Sequence, residues 1–452
     1  MKEFYTPNDF LDGNDSERIQ MAINEAQKTG CSKVVIPRSN QKTNSVIWVI
    51  EKTILIPSDI TIILDNCHLI MADKVMCRMF ENSNATLPEG GTVEGEQKNI
   101  NIIGIGNAVL DGGNDNGLNE FTARKNDLPR IHENVTIFFR NVRDFRISNI
   151  TIRDQRWWAL EMLFSRKGII SDIHFEITSP CKYGLWRNQD GIDIRVGCNN
   201  ILIQNITGEV GDDCIALTAL MRPSSFEYEH RVEGKDSNIH DIIIRDVRAV
   251  TSMCAIIRLL NQYGHKIYNI SIDNVIDSSI PKLESKTQKV IRMGEYAYFK
   301  GEEKFKAKHG DIHNISISNI YSRALSAIHL EMTVKNLHVN NVYVHSDGQY
   351  AITFGRWIVR DVIFMYKPEL WDKQKIKTSY PDSEDITLTA ENVLIENVYY
   401  TANGENENYK PTVCGVHNSE FKNVIVRNVC FDDNVKLLKT TNGKTPEGLI
   451  FE

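Results

Sequence analysis

The chain has 452 residues, 41% of them hydrophobic and 25% charged, with 27 Gly and a formal net charge of -7. This is the balance of an ordinary folded protein, and it excludes a disordered, collagen-like or broadly nucleic-acid-binding chain, which would need a polar, Gly-periodic or basic composition. The length exceeds a usual single globular domain, so either several domains or a repeat that lets one domain grow is required.

The first 15 residues, MKEFYTPNDFLDGND, lack an apolar leader core and a small-residue cleavage site, and no run reaches the roughly 18 apolar residues of a membrane span. The expectation is a cytoplasmic protein with no membrane partner, or a secreted one if a leader has been removed. A short amphipathic helix follows. Asp15 or Ser16 can cap it, Ile19, Ala22, Ile23 and Ala26 form one apolar stripe, and Gly30 ends it. Such a helix must cover something, and the strand-like KVVIP at 33–37 makes it a candidate end cap over about residues 10–40.

From about residue 98 a phrase recurs: RISNITI, ILIQNIT, IIIRDVR, ISIDNVI, ISISNIY, LHVNNVYV, VLIENVYY and VIVRNVCF. Its marker residues are Asn149, Asn205, Asp246, Asn274, Asn319, Asn341, Asn397 and Asn428, with a shortest step of 22 residues. Period-two alternation of β-branched residues predicts strands, and the absence of intervening 10–15-residue helical patterns excludes βαβ folds. Asn or Asp in this place suits a tight corner, since both tolerate left-handed backbone. The repeat predicts an all-β, right-handed parallel β-helix: one domain over 1–452, with coils over about 45–435 and a tail beyond. The nine Cys are irregularly spaced and read as reduced core thiols.

The stretch 187–217, RNQDGIDIRVGCNNILIQNITGEVGDDCIAL, concentrates acids: Asp190, Asp193, Asp212 and Asp213. Asp190 precedes Asp212 by 22 residues, one coil, so stacking at about 4.8 Å brings carboxylates together. Clustered carboxylates differ in proton affinity, which is the equipment of glycoside hydrolysis: one acid protonates the leaving oxygen and another activates water or attacks the sugar. Turn acids or ligands of a structural calcium ion are the competing reading of the same spacing.

NQDGIDI and GDDCIAL resemble the NTDGID and GDDC signatures of glycoside hydrolase family 28, the polygalacturonases. IGIGNAVLDGG at 103–113 and IRDQRWWALEML at 152–163 are similar to the family's opening coil and its Asn-Ser-Pro-x-Trp coil. The resemblance, over roughly residues 10–345, implies inversion with Asp212 as general acid and Asp190 and Asp213 activating water, while Asp193 belongs to the strand. A separation of about 6.5–9.5 Å between the acid and the water-activating carboxylates would support inversion, and about 5 Å retention.

Two family elements are missing. The Gly-His-Gly coil corresponds to TSMCAIIRLL at 251–260, with Met253 near the histidine's place and His265 at the next corner. The Arg-Ile-Lys that grips a uronate in pectin-degrading members has Arg292 as its nearest counterpart. Arg258 and Arg292 can each offer a fork to a carboxylate or to hydroxyls, or form a surface ion pair. With Asn188 and Trp158 they complete the substrate-binding candidates. Alternation sends one of Trp157 and Trp158 inward and leaves the other near the groove. The segments 354–373 and 405–413 interrupt the repeat and read as loops walling the cleft.

The partner expected is a poly- or oligosaccharide, with no nucleic acid; no P-loop, dinucleotide fingerprint or zinc motif calls for a cofactor. Two other functions stay open: a calcium-dependent polysaccharide lyase, and a non-catalytic carbohydrate-binding β-helix.

Overall fold

The computed structural model describes residues 2–118, 128–178, 188–223, 225–252, 254–262, 264–279, 287–294, 307–345, 350–355, 387–402, 411–441 and 443–452. Cys181, Met253 and most of the two late loop segments lie outside the described residues. The chain divides into two compact units, Met1–Asp212 with Arg222–Ser237, and Asp213–Met221 with Asn238–Glu452.

The first unit starts with the helix Asp15–Thr29, whose cap is Asn14 rather than Asp15 or Ser16. Asn14 and Glu17 exchange hydrogen bonds in a capping box, and Gly30 closes the helix in left-handed geometry at φ 73°. Ile19, Ala22, Ile23 and Ala26 are fully buried. Asp15 and Ser16 do different work: they accept from the backbone N–H groups of Val49 and Glu51, at 2.9 and 2.8 Å. Gln20 takes the N–H of Leu55 at 2.8 Å. The helix thus satisfies an open strand edge at the start of the stack, which would otherwise invite pairing with another chain.

Beyond it the strands Ile54–Ile56, Phe80–Asn82, Ile137–Arg140, Leu160–Leu163 and Ile192–Arg195 pair in parallel, one coil apart. A second parallel ladder joins Val142–Arg153, Arg166–Glu176 and Asn199–Val210. Ile147, Ile170 and Ile203 are in register and fully buried, so identical side chains fill the interior at each level. Each such burial is worth about 1.5–3 kcal/mol.

The second unit repeats the plan. Ile257, Ile291, Ile328, Ile352 and Cys414 form one buried column, and Ile272, Ile317, Val339, Ile395 and Val426 another. Tyr321, Tyr343 and Tyr399 stack on its outside at 4.9 and 5.0 Å, the inter-strand spacing made visible in side chains. The architecture of both units is that of a parallel β-helix.

All eight marker residues have left-handed backbone, from φ 53° at Asn205 and Asn428 to 59° at Asn149. A second set lies five residues before them: Asp144, Asn200, Asp241, Asn269, Asn314, Asn336, Asn392 and Asn423. Each coil therefore carries two corners where the sequence suggested one. Their amides form ladders, Asn341 donating to Asn319 at 3.0 Å and Asn336 to Asn314 at 3.0 Å. The eight described cysteines are free thiols; burial pushes Cys67, Cys198, Cys214 and Cys414 up to about 12.

Candidate functional site

In the first unit the corner before Ile192–Arg195 is fixed by its neighbours. Gln155 donates to the carbonyls of Gln189 and Asp190 at 3.2 and 3.3 Å, and Gln189 returns a bond to the Gln155 carbonyl at 2.7 Å. Ala159 N–H meets the Asp190 carbonyl at 3.0 Å, and Gly211 N–H meets that of Gln189 at 3.1 Å. Asp190 thus sits one coil from Trp158 on one side and from Asp212 on the other. Both acids are buried, 1% and 4% exposed.

Asn188 joins them. Only one orientation of its amide satisfies its neighbours: the oxygen accepts from the indole Nε1 of Trp158 at 3.2 Å, and the nitrogen donates to Asp212 Oδ2 at 2.6 Å and to Asp190 Oδ1 at 3.1 Å. An indole can only donate, so it decides which end of the amide faces the acids.

Both tryptophans are buried, which corrects the expectation that alternation would leave one exposed: Trp157 is 3% and Trp158 6% accessible. The pair precedes the strand Leu160–Leu163, in the corner, where alternation does not hold. Their rings stack at 3.9 Å, and the Arg195 guanidinium lies 4.6 Å from the Trp158 ring centroid. Arg195 also pairs with Glu227, which the segment 222–237 brings over this face, and lies 3.8 Å from Asp193. Burial opposes ionisation of Glu227, but Arg195 overcomes it and holds the carboxyl below its usual range. Beside it Phe226 stacks on His132 at 3.8 Å, and His132 reaches Glu161 at 3.2 Å.

In the second unit, Asp213 is fully buried; its Oδ2 lies 2.7 Å from Arg258 Nη1 and its Oδ1 accepts from Ala255 N–H at 3.1 Å. Arg292 binds Glu331 through Nε and Nη2, at 2.9 and 2.8 Å. Of the readings open to these arginines, the ion pair is the one formed, and with internal rather than surface acids. Lys289 lies 3.6 Å from Glu331, and His329 2.8 Å. Burial works against the Glu331 carboxylate, yet Arg292 and Lys289 hold it well below the usual carboxylate range. A side chain at Gly294 would sit 2.6 Å from Glu331, which explains the glycine there. His265 is half-exposed in the turn before Ile267–Asp277, its carbonyl accepting from Asn261 at 3.1 Å.

Lys289, His329 and Glu331 were not singled out by sequence. A signal was present: each is a charged or titratable residue in or beside an apolar strand phrase, KVIRMG and SAIHLE, where only a paired group is tolerated.

Residues 49–234 match the family model described as Glycosyl hydrolases family 28. That segment is similar to family 28 sequences. It contains Asn188, Asp190, Asp212 and Asp213 and ends before Arg258 and Arg292. A comparison with curated proteins by sequence finds no match.

Among solved structures, the family 28 exopolygalacturonase of Yersinia enterocolitica aligns with a TM-score of 0.55 at 13% identity, covering 100% of this chain and 78% of that one. The Streptococcus pneumoniae surface adhesin PfbA aligns at 0.58 and 14%, covering 98% and 94%. The A-module of an Azotobacter vinelandii mannuronan C-5 epimerase aligns at 0.56 and 11%, covering 99% and 100%. At such identities these likenesses show the parallel β-helix fold alone, and the fold serves a hydrolase, an adhesin and an epimerase alike.

Proposed function

We propose that this chain is a glycoside hydrolase that cleaves a pectin-like poly- or oligosaccharide. Asp212 protonates the departing glycosidic oxygen, and Asp190 with Asp213 draws a proton from the attacking water, so that the C–O bond breaks as the water oxygen bonds to the anomeric carbon. The observation that carries this reading is the pairing of Asp190 and Asp212 through Asn188 inside the segment that matches family 28. Buried carboxylates that share one amide are held side by side, which turn acids on a solvated surface would not be.

The resemblance supports inversion, and we adopt it. Asp212 Oδ2 and Asp190 Oδ1 both bind one nitrogen, at 2.6 and 3.1 Å, which brings one oxygen of each carboxyl close to the other and bounds that pair alone.

The test is reducing-end release from a panel of pectic and neutral plant polysaccharides and oligosaccharides, with wild type against Asp212→Asn. Activity on one substrate that is lost in the variant supports the proposal and names the sugar. No activity on the panel, or activity the variant keeps, overturns it.

A further inference from the structure

Two buried carboxylates that act in opposite directions need something to tell them apart. On the roles proposed above, on which this assignment rests, Asp212 must present a proton to the leaving oxygen while Asp190 must accept one from water. Each carboxyl has two oxygens, and a proton on the wrong one is useless.

Asn188 occupies one oxygen of each: Oδ2 of Asp212 and Oδ1 of Asp190. An oxygen that already receives an N–H cannot also carry a proton pointing at that donor without losing the bond. We propose that Asn188 is a positioning residue that keeps the proton of Asp212 off Oδ2 and the proton that Asp190 takes from water off Oδ1, and that Trp158 sets the amide orientation this requires.

Trp158 fixes the amide because its indole can only donate. If the amide were reversed, its NH2 would face the indole N–H, two donors with no acceptor between them. The indole is itself held by stacking on Trp157 and by Arg195, which Glu227 anchors. Trp157, by contrast, has a buried Nε1 with no hydrogen-bond partner among the described residues. Two stacked tryptophans therefore differ in one respect that bears on the acids, which supplies an internal control.

The readout is the titration of the aspartate carboxyl carbons by carbon-13 NMR in the full chain, with signals assigned through Asp190→Asn and Asp212→Asn, together with the pH profile of kcat/KM. Donation to a carboxylate favours its ionised form, so in Asn188→Leu the midpoints of both acids rise by about one pH unit. In Trp158→Phe they rise by less, and in Trp157→Phe they stay where they are; the acid limb of the activity profile moves with them. Unchanged midpoints in Asn188→Leu, or equal effects of the two Trp→Phe variants, overturn the assignment. If Asn188→Leu does not fold, the comparison of the two Trp→Phe variants decides alone. If the midpoints move as stated while nothing on the panel is cleaved, the positioning role stands and the hydrolase reading falls.

Discussion

His329 Nε2 lies 2.8 Å from Glu331 Oε1, and both side chains are enclosed, 0% and 1% exposed. Thr353 faces the other ring nitrogen. This is the bonding of a neutral imidazole, Nε2–H donating to the carboxylate and Nδ1 accepting from the hydroxyl. Burial pushes His329 down to about 4 from an ordinary 6.5.

The unfolded chain therefore binds the additional proton between about pH 4 and 6.5, and stability rises with pH across that window. The contribution is fully present above 6.5 and is lost as pH falls toward about 4. Urea midpoints at pH 7 and pH 5 should differ, and His329→Gln should remove about 2 kcal/mol of that difference. His230, pushed to about 4 by burial in the other unit, adds a change of the same sign, so the variant comparison rather than the slope is diagnostic. An unaltered difference in His329→Gln would show that the ring binds its proton as readily in the folded as in the unfolded chain.

The Asp213–Arg258 pair separates two uses of one arginine. If Arg258 gripped a substrate carboxylate, its loss would raise KM and leave kcat. Since its Nη1 lies 2.7 Å from Asp213, the expectation is the reverse: Arg258→Gln lowers kcat by on the order of 10–100-fold with KM nearly constant. Leaving the buried Asp213 carboxylate without this partner should also cost about 3 kcal/mol of stability by chemical denaturation. A rise in KM with kcat intact would return Arg258 to the substrate.

Asn341 has φ 58° and donates to Asn319 at 3.0 Å, so it serves the corner twice, by backbone tolerance and by its amide. Asn341→Ala should destabilise by about 1–3 kcal/mol, from left-handed strain plus a lost bond. Asn341→Gly removes the strain but not the loss of the bond, and should cost less. Equal losses in the two variants, measured by urea unfolding, would mean that the bond alone matters.

This corner also shows what the sequence could convey. The marker residues from Asn149 to Asn428 were readable because each interrupts an alternating apolar run, and a residue that tolerates φ near +55° is needed where such a run turns. The partners five residues upstream, such as Asp241 and Asn336, precede their runs and look like ordinary loop polarity. Trp157 and Trp158 escape the pattern for a related reason: alternation applies within strands, and they stand before one. The acids were legible by spacing, but the Trp158–Asn188 contact joins residues 30 positions apart through a side-chain orientation that no pattern encodes. Arg258 and Arg292 were visible as charges in apolar strands, while their acids, Asp213 and Glu331, lie a coil away and could not be matched to them without the register.

The sharpest test of the proposed chemistry is stereochemical. Asn188 holds one oxygen of Asp190 and one of Asp212 close together, as a retaining pair would need for direct attack on the sugar, whereas the family resemblance calls for a water between carboxylate and anomeric carbon. Proton NMR of the first product formed, before mutarotation, should show the anomeric configuration opposite to that of the bond cleaved. The retained configuration, together with a covalent sugar adduct on Asp190 trapped by mass spectrometry, would make Asp190 a nucleophile and leave Asp212 to serve first as acid and then as base.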